Sequence, residues 1–283
     1  MPEELWVIRT TKCRDGVEEK TKFQVPGEVG EWRSRESRRS VNRAAKNTAS
    51  AGRNVARILN NNFIPGDRFL TLTLSEAGWE KLQERAGKIL EGYRASEILG
   101  DVPELTEDDA LLLSMEQEME NQNTRAQKAC KSQGVEIRYL AVASDREQKK
   151  GDWMKARPHI HAVVNKEAAE IYKQKWSRFG TIIRDEVLSA WKSGGITDWS
   201  ALANYIISQT RIVNKEKRYA ASRNLEKPAQ YDRMAKKPAA LLRVPKGAIL
   251  LEQSEYRPGW PQYIRYIRRL PEDEEETTGE VLT

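Results

Sequence analysis

Histidine is nearly absent from this chain: 283 residues hold two, against 48 Lys+Arg and 42 Asp+Glu. Any histidine chemistry must therefore come from those two side chains. Cysteine is equally scarce, with Cys13 and Cys130 far apart and neither in a C-x-x-C. That excludes a zinc ribbon or a disulfide framework and leaves two reduced thiols as the expectation. No apolar run approaches the ~18 residues of a membrane span. The first residues, MPEELWVIRT, are acidic where a signal peptide is basic. The expectation is a soluble, cytoplasmic protein. No G-x-x-x-x-G-K-[ST] occurs, which excludes a Walker-type ATPase or helicase motor in the chain.

Charge is abundant. Charged residues make up 32%, above average, and hydrophobic residues 39%, below it; the length of 283 residues fits one large domain with appendages, or two small ones. The formal net charge is +6, and the acidic run Glu272 to Glu276 hides part of the positive charge of the body. Basic residues also cluster locally, which points to a polyanionic partner, nucleic acid first.

Both histidines stand in one tripeptide, within Arg157-Pro158-His159-Ile160-His161-Ala162-Val163-Val164-Asn165. On a β-strand, positions i and i+2 share a face. His159 and His161 then lie side by side, with Ile160, Ala162 and Val164 on the other face for a core. Paired imidazoles are common metal ligands. The alternative is two surface histidines on a half-exposed strand.

Around this strand the pattern predicts several elements. Short strands fit Leu5 to Thr10 and Thr21 to Val25. A basic helix fits Arg33 to Asn61, either as a solvated surface helix or as a phosphate-contacting arm. Leu70, Leu72 and Leu74 alternate with Phe69, Thr71 and Thr73, a strand. Residues 75–133 read as helical, with Thr106 and Asp109 as a capped start. Leu111, Leu112, Met115 and Met119 follow at helical spacing, as core. Glu136 to Ser144 reads as a strand, Asp145 to Lys155 as a charged loop, and Glu167 to Ser193 as a helix. A second helix runs from Asp198, placed to cap it, to about Arg211. Trp199, Leu202, Ala203 and Ile206 form its apolar stripe, with Tyr205 beside it. The run Trp260 to Arg269 interleaves aromatics with arginines. That suits stacking on bases, but the preferred reading is a short amphipathic strand on the domain edge.

In order, FLTLT (69–73), RYLAVAS (138–144), RPHIH (157–161), ALANYIISQT (201–210) and RYAASRNLEKP (218–228) resemble the HUH rolling-circle replication endonucleases of bacteria, their phages and mobile elements. The resemblance covers roughly residues 60–230. It implies an α+β fold, a central antiparallel sheet flanked by helices. It implies a divalent metal, Mg²⁺ or Mn²⁺, on His159 and His161, and Tyr205 as nucleophile. Attack on a DNA phosphodiester would leave a 5′-phosphotyrosine and a free 3′-hydroxyl from which replication can start. The reverse reaction rejoins the strand. The implied partners are single-stranded or melted DNA at a replication origin and a host helicase, in the cytoplasm of a bacterial host cell.

This chemistry is sensible for these residues. A phenol ionises near ~10 and is a poor nucleophile at neutral pH. A metal on the phosphate can polarise it and orient the attack. Two positions depart from the family pattern. Ser144 stands where many members carry a glutamate ligand, so Asp145 becomes the expected carboxylate, with Glu147 close by. Ser208 stands where many have a lysine three residues after the tyrosine, and Lys215, Arg211 and Arg184 are the substitutes. These departures keep open a second reading, a sequence-specific DNA-binding protein on the same fold with weak or no cleavage. The expected phosphate contacts are Arg38, Arg39 and Arg43 on the basic helix and Arg218 and Arg223 further on. The expected domains are an extension over 1–62, the endonuclease domain over 63–230, a basic and aromatic segment over 231–270, and an acidic disordered tail over 271–283.

Overall fold

The computed structural model of the protein describes residues 5–25, 43–97, 105–149, 152–189, 197–211, 213, 219–235, 237, 240–257 and 260–268. In chain order the elements are β1 (Leu5–Lys12), β2 (Val17–Val25), α1 (Arg43–Asn62), β3 (Arg68–Leu74), α2 (Glu76–Glu97) and α3 (Glu107–Ser132). They continue with β4 (Tyr139–Lys149), β5 (Asp152–Val164), α4 (Lys166–Trp176), β6 (Gly180–Val187) and α5 (Ser200–Ser208). The last are β7 (Ala220–Ala221), β8 (Ala229–Met234), β9 (Ile249–Gln253) and β10 (Gln262–Ile267). The fold is α+β. Its strands form two five-stranded antiparallel sheets, one in each of two compact units.

The larger unit, Asn42–Glu226, holds the sheet ordered β6-β3-β5-β4-β7 with helices on both faces. Strand alternation decides which side chain meets which layer. Leu70, Leu72, Ala141, Ile160, Ala162 and Val164 pack against α2, α3 and α4 through Leu82, Leu112, Met115, Ile171, Tyr172 and Trp176. Phe69, Leu140, Val142 and Val163 face the other way, onto Val55, Leu59, Phe63, Trp199, Ala203 and Ile206 of the α1 and α5 side. Each such large side chain contributes about 1.5–3 kcal/mol when fully buried. The expected helix start at Thr106 is a capping box, with Asp109 N donating to Thr106 Oγ1 at 3.1 Å and the Asp109 carboxylate accepting from Thr106 N.

The smaller unit, Met1–Val41 with Lys227–Thr283, holds the sheet ordered β8-β1-β2-β10-β9. Its inner strands come from opposite ends of the chain: Lys22 pairs with Gln262 and Glu18 with Tyr266.

Four sequence expectations change. The boundaries at 62 and 230 move to 41 and 226, because β1 and β2 pair with C-terminal strands while α1 packs with α5. The charged stretch Asp145 to Lys155 is hairpin rather than loop, since β4 and β5 continue pairing as far as Lys149 and Asp152. The helix expected over 167–193 stops at Trp176, and the chain turns into β6 along β3. The arginine- and aromatic-rich run near 262–267 is an inner strand, paired on both sides and buried along its length, rather than an edge. Residues 26–42, which include most of the expected early turns of the basic helix, and the acidic tail lie outside the described residues.

Candidate active site on the histidine face

Both histidines occupy β5, the middle strand of the larger sheet, and both turn toward the α1 and α5 side. The register sets Arg184 of β6, Thr71 of β3 and His161 of β5 in one row across neighbouring strands. His159 stands opposite Ser144 of β4. Neither imidazole is a surface group: His159 is 7% exposed and His161 3%.

The outer nitrogens are fixed by their partners. His159 Nδ1 donates to the Arg157 carbonyl at 2.9 Å. A carbonyl only accepts, so Nδ1 carries a proton. His161 Nδ1 lies 3.0 Å from Thr71 Oγ1. The two Nε2 atoms converge to 3.1 Å, and Gln209 Oε1 lies 2.9 Å from His161 Nε2. Burial above all, then the neighbouring His159, pushes the His161 pKa down to about 3, against the hydrogen bond that His161 Nε2 donates to Gln209 Oε1. His161 is therefore neutral at pH 7, as a metal ligand must be.

Gln209 comes from the residue after α5, one helical turn beyond Tyr205. The start of α5 is tied to α1. Asp198 Oδ1 accepts from Ser200 N (3.1 Å), Ser200 Oγ (2.6 Å) and Asn60 Nδ2 (3.0 Å), while Trp199 N donates to Asn60 Oδ1 (2.7 Å). Gly52 of α1 lets the helices close, since a Cβ there would stand 2.8 Å from Asn204 Oδ1. At the far end Ser144 Oγ donates to the Gln209 carbonyl at 2.9 Å. So pinned, α5 holds the half-buried Tyr205 ring 5.7 Å from the His161 ring and 6.2 Å from Phe69, edge-on to both. Arg184 Nη1 donates to Tyr205 Oη at 3.5 Å, and its guanidinium lies over the Phe69 and Tyr205 rings.

Asp145 does not join the histidines. The β4 register shifts between Ser144 and Arg146, and Asp145 falls in that bulge. Its carboxylate accepts from Arg211 Nε at 2.7 Å, and Arg211 also engages Asp109 of α3. Arg211 is thereby committed away from Tyr205. Glu147 lies further out on the hairpin, opposite Met154. Among the described residues no group of three or more His, Cys, Asp or Glu could hold a metal ion. The third donor beside the imidazoles is an amide. Two imidazole nitrogens and one oxygen, donor types that divalent cations take, converge there.

Of the expected phosphate contacts, Arg38, Arg39 and Arg218 lie outside the described residues, as does Lys215. Arg43 opens α1. Arg223 is exposed beside Tyr139, the first residue of β4, five residues before Ser144. Sequence reasoning missed Gln209 as a donor, although its i+4 spacing from Tyr205 places both on one helical face. Thr71 was read only as part of an alternation. Compared with protein-family models, curated proteins and solved structures, the chain finds no match.

Proposed function

We propose that the larger unit is a metal-dependent DNA-nicking and strand-joining endonuclease with Tyr205 as nucleophile, of the kind that starts rolling-circle replication. One observation carries the reading: a half-buried tyrosine stands edge-on to His161, where both imidazole Nε2 atoms and Gln209 Oε1 converge. His159, His161 and Gln209 would hold Mg²⁺ or Mn²⁺. When bound, that cation supplies Lewis-acid polarisation of the scissile phosphate, and its neutral ligands leave its full charge for the phosphate oxygens.

The rest belongs to the chain. Tyr205 Oη loses its proton to solvent and forms the bond to phosphorus, the bond to the 3′-oxygen breaks, and that oxygen takes a proton from solvent and leaves as a hydroxyl. Thr71 and the Arg157 carbonyl keep the imidazoles oriented. Arg184, already at Tyr205 Oη, takes the place of the lysine absent at Ser208 and neutralises charge gathering on the phosphate. Ser208 instead donates to the Tyr205 carbonyl at 2.8 Å. The phosphotyrosine ester conserves the bond energy, so rejoining needs no nucleotide. The substrate in this reading is single-stranded or melted origin DNA, with a host helicase opening the duplex.

The test is incubation with labelled single-stranded DNA and Mn²⁺, followed by mass mapping of the adduct. An adduct on Tyr205 that disappears in Tyr205→Phe is the expected result. Binding without any adduct, under every metal tried, would leave the sequence-specific DNA-binding reading in its place.

A further inference from the structure

The smaller unit carries a surface that the histidine chemistry does not use. One face of its sheet presents Lys12 of β1, Glu18 and Lys20 of β2, Tyr231 and Arg233 of β8, and Tyr266 of β10. Arg268 follows β10 onto the same face and reaches Glu18 at 3.0 Å. The Trp6 end of this face is covered: Lys22 Nζ donates to the carbonyls of Lys237 (3.3 Å) and Ala240 (2.6 Å). Lys12, at the other end, is exposed; so are Tyr231, at 60%, and Arg233 on the outer strand β8, which lies across Ile8 from Lys22.

Charge there is one-sided. Glu18 is buried and shared between Arg268 and Lys12, which lies 3.7 Å away. The Lys20 ammonium lies 5.2 Å above the Tyr266 ring, and that of Lys12 lies 5.9 Å from the Tyr231 ring. Burial, then Arg233, Arg268 and Lys12, push Lys20 below its usual range, against Glu18. Cations crowded on a flat sheet gain most from a polyanion that brings several phosphates at once. An exposed aromatic among them offers a base its flat face.

We propose that this sheet face binds single-stranded nucleic acid, with Lys12, Lys20, Arg233 and Arg268 on phosphates and Tyr231 stacking on a base. The inference stands on the smaller unit alone and goes beyond the nicking site. A single strand fits better than a duplex, because only unpaired bases can stack on a side chain standing on a sheet.

The experiment uses the full chain carrying Tyr205→Phe, in chelator, so that no covalent capture contributes. Labelled oligothymidylate is titrated over a range of salt concentrations. Replacing Lys12, Lys20 and Arg233 together by Ala should flatten the salt dependence by about 2 in logarithmic slope, at about 0.7 per phosphate for single strands. Tyr231→Ala should weaken binding about fivefold or more and leave the slope unchanged. Tyr231→Phe should restore the affinity, which separates stacking from damage to the fold. Unchanged affinity and slope in these variants would overturn the proposal. So would a duplex, or polyglutamate as a mimic of an acidic protein, binding with the same dependence on Tyr231. If wild type forms no adduct yet these effects appear, the nicking reading falls and this one stands.

Discussion

Gln209 is the residue whose role changes most between sequence and structure. Its amide oxygen stands where a carboxylate was expected, while Asp145 serves Arg211. This gives paired expectations for a Mn²⁺ titration of the purified protein. Gln209→Ala should lower affinity at least ~10-fold, the smallest loss typical even of outer-shell changes. Asp145→Ala should leave affinity unchanged and cost about 0.5–1.5 kcal/mol of stability through the lost bond to Arg211, which keeps Asp109 as its partner. Equal loss of metal from both variants would return Asp145 to the site. For Arg184→Ala, the expectation is ~10²-fold slower adduct formation at the same tyrosine, the usual cost of one electrostatic donor, with partial recovery in Arg184→Lys. His161 adds a pH dependence. Its folded pKa lies near 3, below the unfolded value of 6.5, so the unfolded chain binds the extra proton first. Stability from this group is whole above pH 6.5 and falls as pH drops toward 3, by at most about 1.4 kcal/mol per unit. Urea midpoints of the metal-free protein across that range, with His161→Gln as reference, would show whether the slope belongs to this residue. The histidine pair and Tyr205 were legible because rarity and helical spacing mark them. Gln209 was not: its spacing puts it on the face of Tyr205, but only the fold brings that face to His161.

At the scale of elements, strands with a clean period of two were legible, and strands that leave the core were not. β6 is an edge strand whose Ile183 and Val187 face solvent, so its alternation between apolar and polar is blurred. The outer hairpin of β4 and β5 is charged because it projects past the packed layers, and its composition imitates a loop. Arg265 of β10 looked like a surface residue, although it is buried and reaches Glu252 at 3.4 Å. The entry to β6 can be tested. A Cβ on Gly180 would stand 1.7 Å from the Thr73 carbonyl oxygen, so backbone must move. Gly180→Ala should cost about 1–3 kcal/mol, as overpacking does, and should slow adduct formation by shifting Arg184. At Gly92 in α2 nothing lies within 4 Å of such a Cβ. Gly92→Ala should instead stabilise by about 0.5–1 kcal/mol, through helix propensity. Thermal melts of the two variants should move in opposite directions.

At the scale of the whole chain, the larger unit is an insertion. It begins after β2 and ends before β8, so the smaller sheet is assembled from both ends of the sequence. No local pattern announces this, because strand partnership across such distances leaves no trace in periodicity. Removing residues 1–41 takes away β1 and β2, which lie between β8 and β10. The expected result under limited proteolysis is rapid loss of residues 227–268 while a fragment near 42–226 survives. Survival of both regions would show that the C-terminal strands fold without the N-terminal pair. The insertion also dictates a schedule during synthesis. A ribosome delivers the whole larger unit before it delivers Tyr266, whose hydroxyl bonds to Glu18 248 positions earlier. The nascent chain can therefore complete the tyrosine–histidine centre while β1 and β2 wait, unpaired on one side, for the last strands to emerge. The smaller unit is therefore completed only after its last strands have emerged.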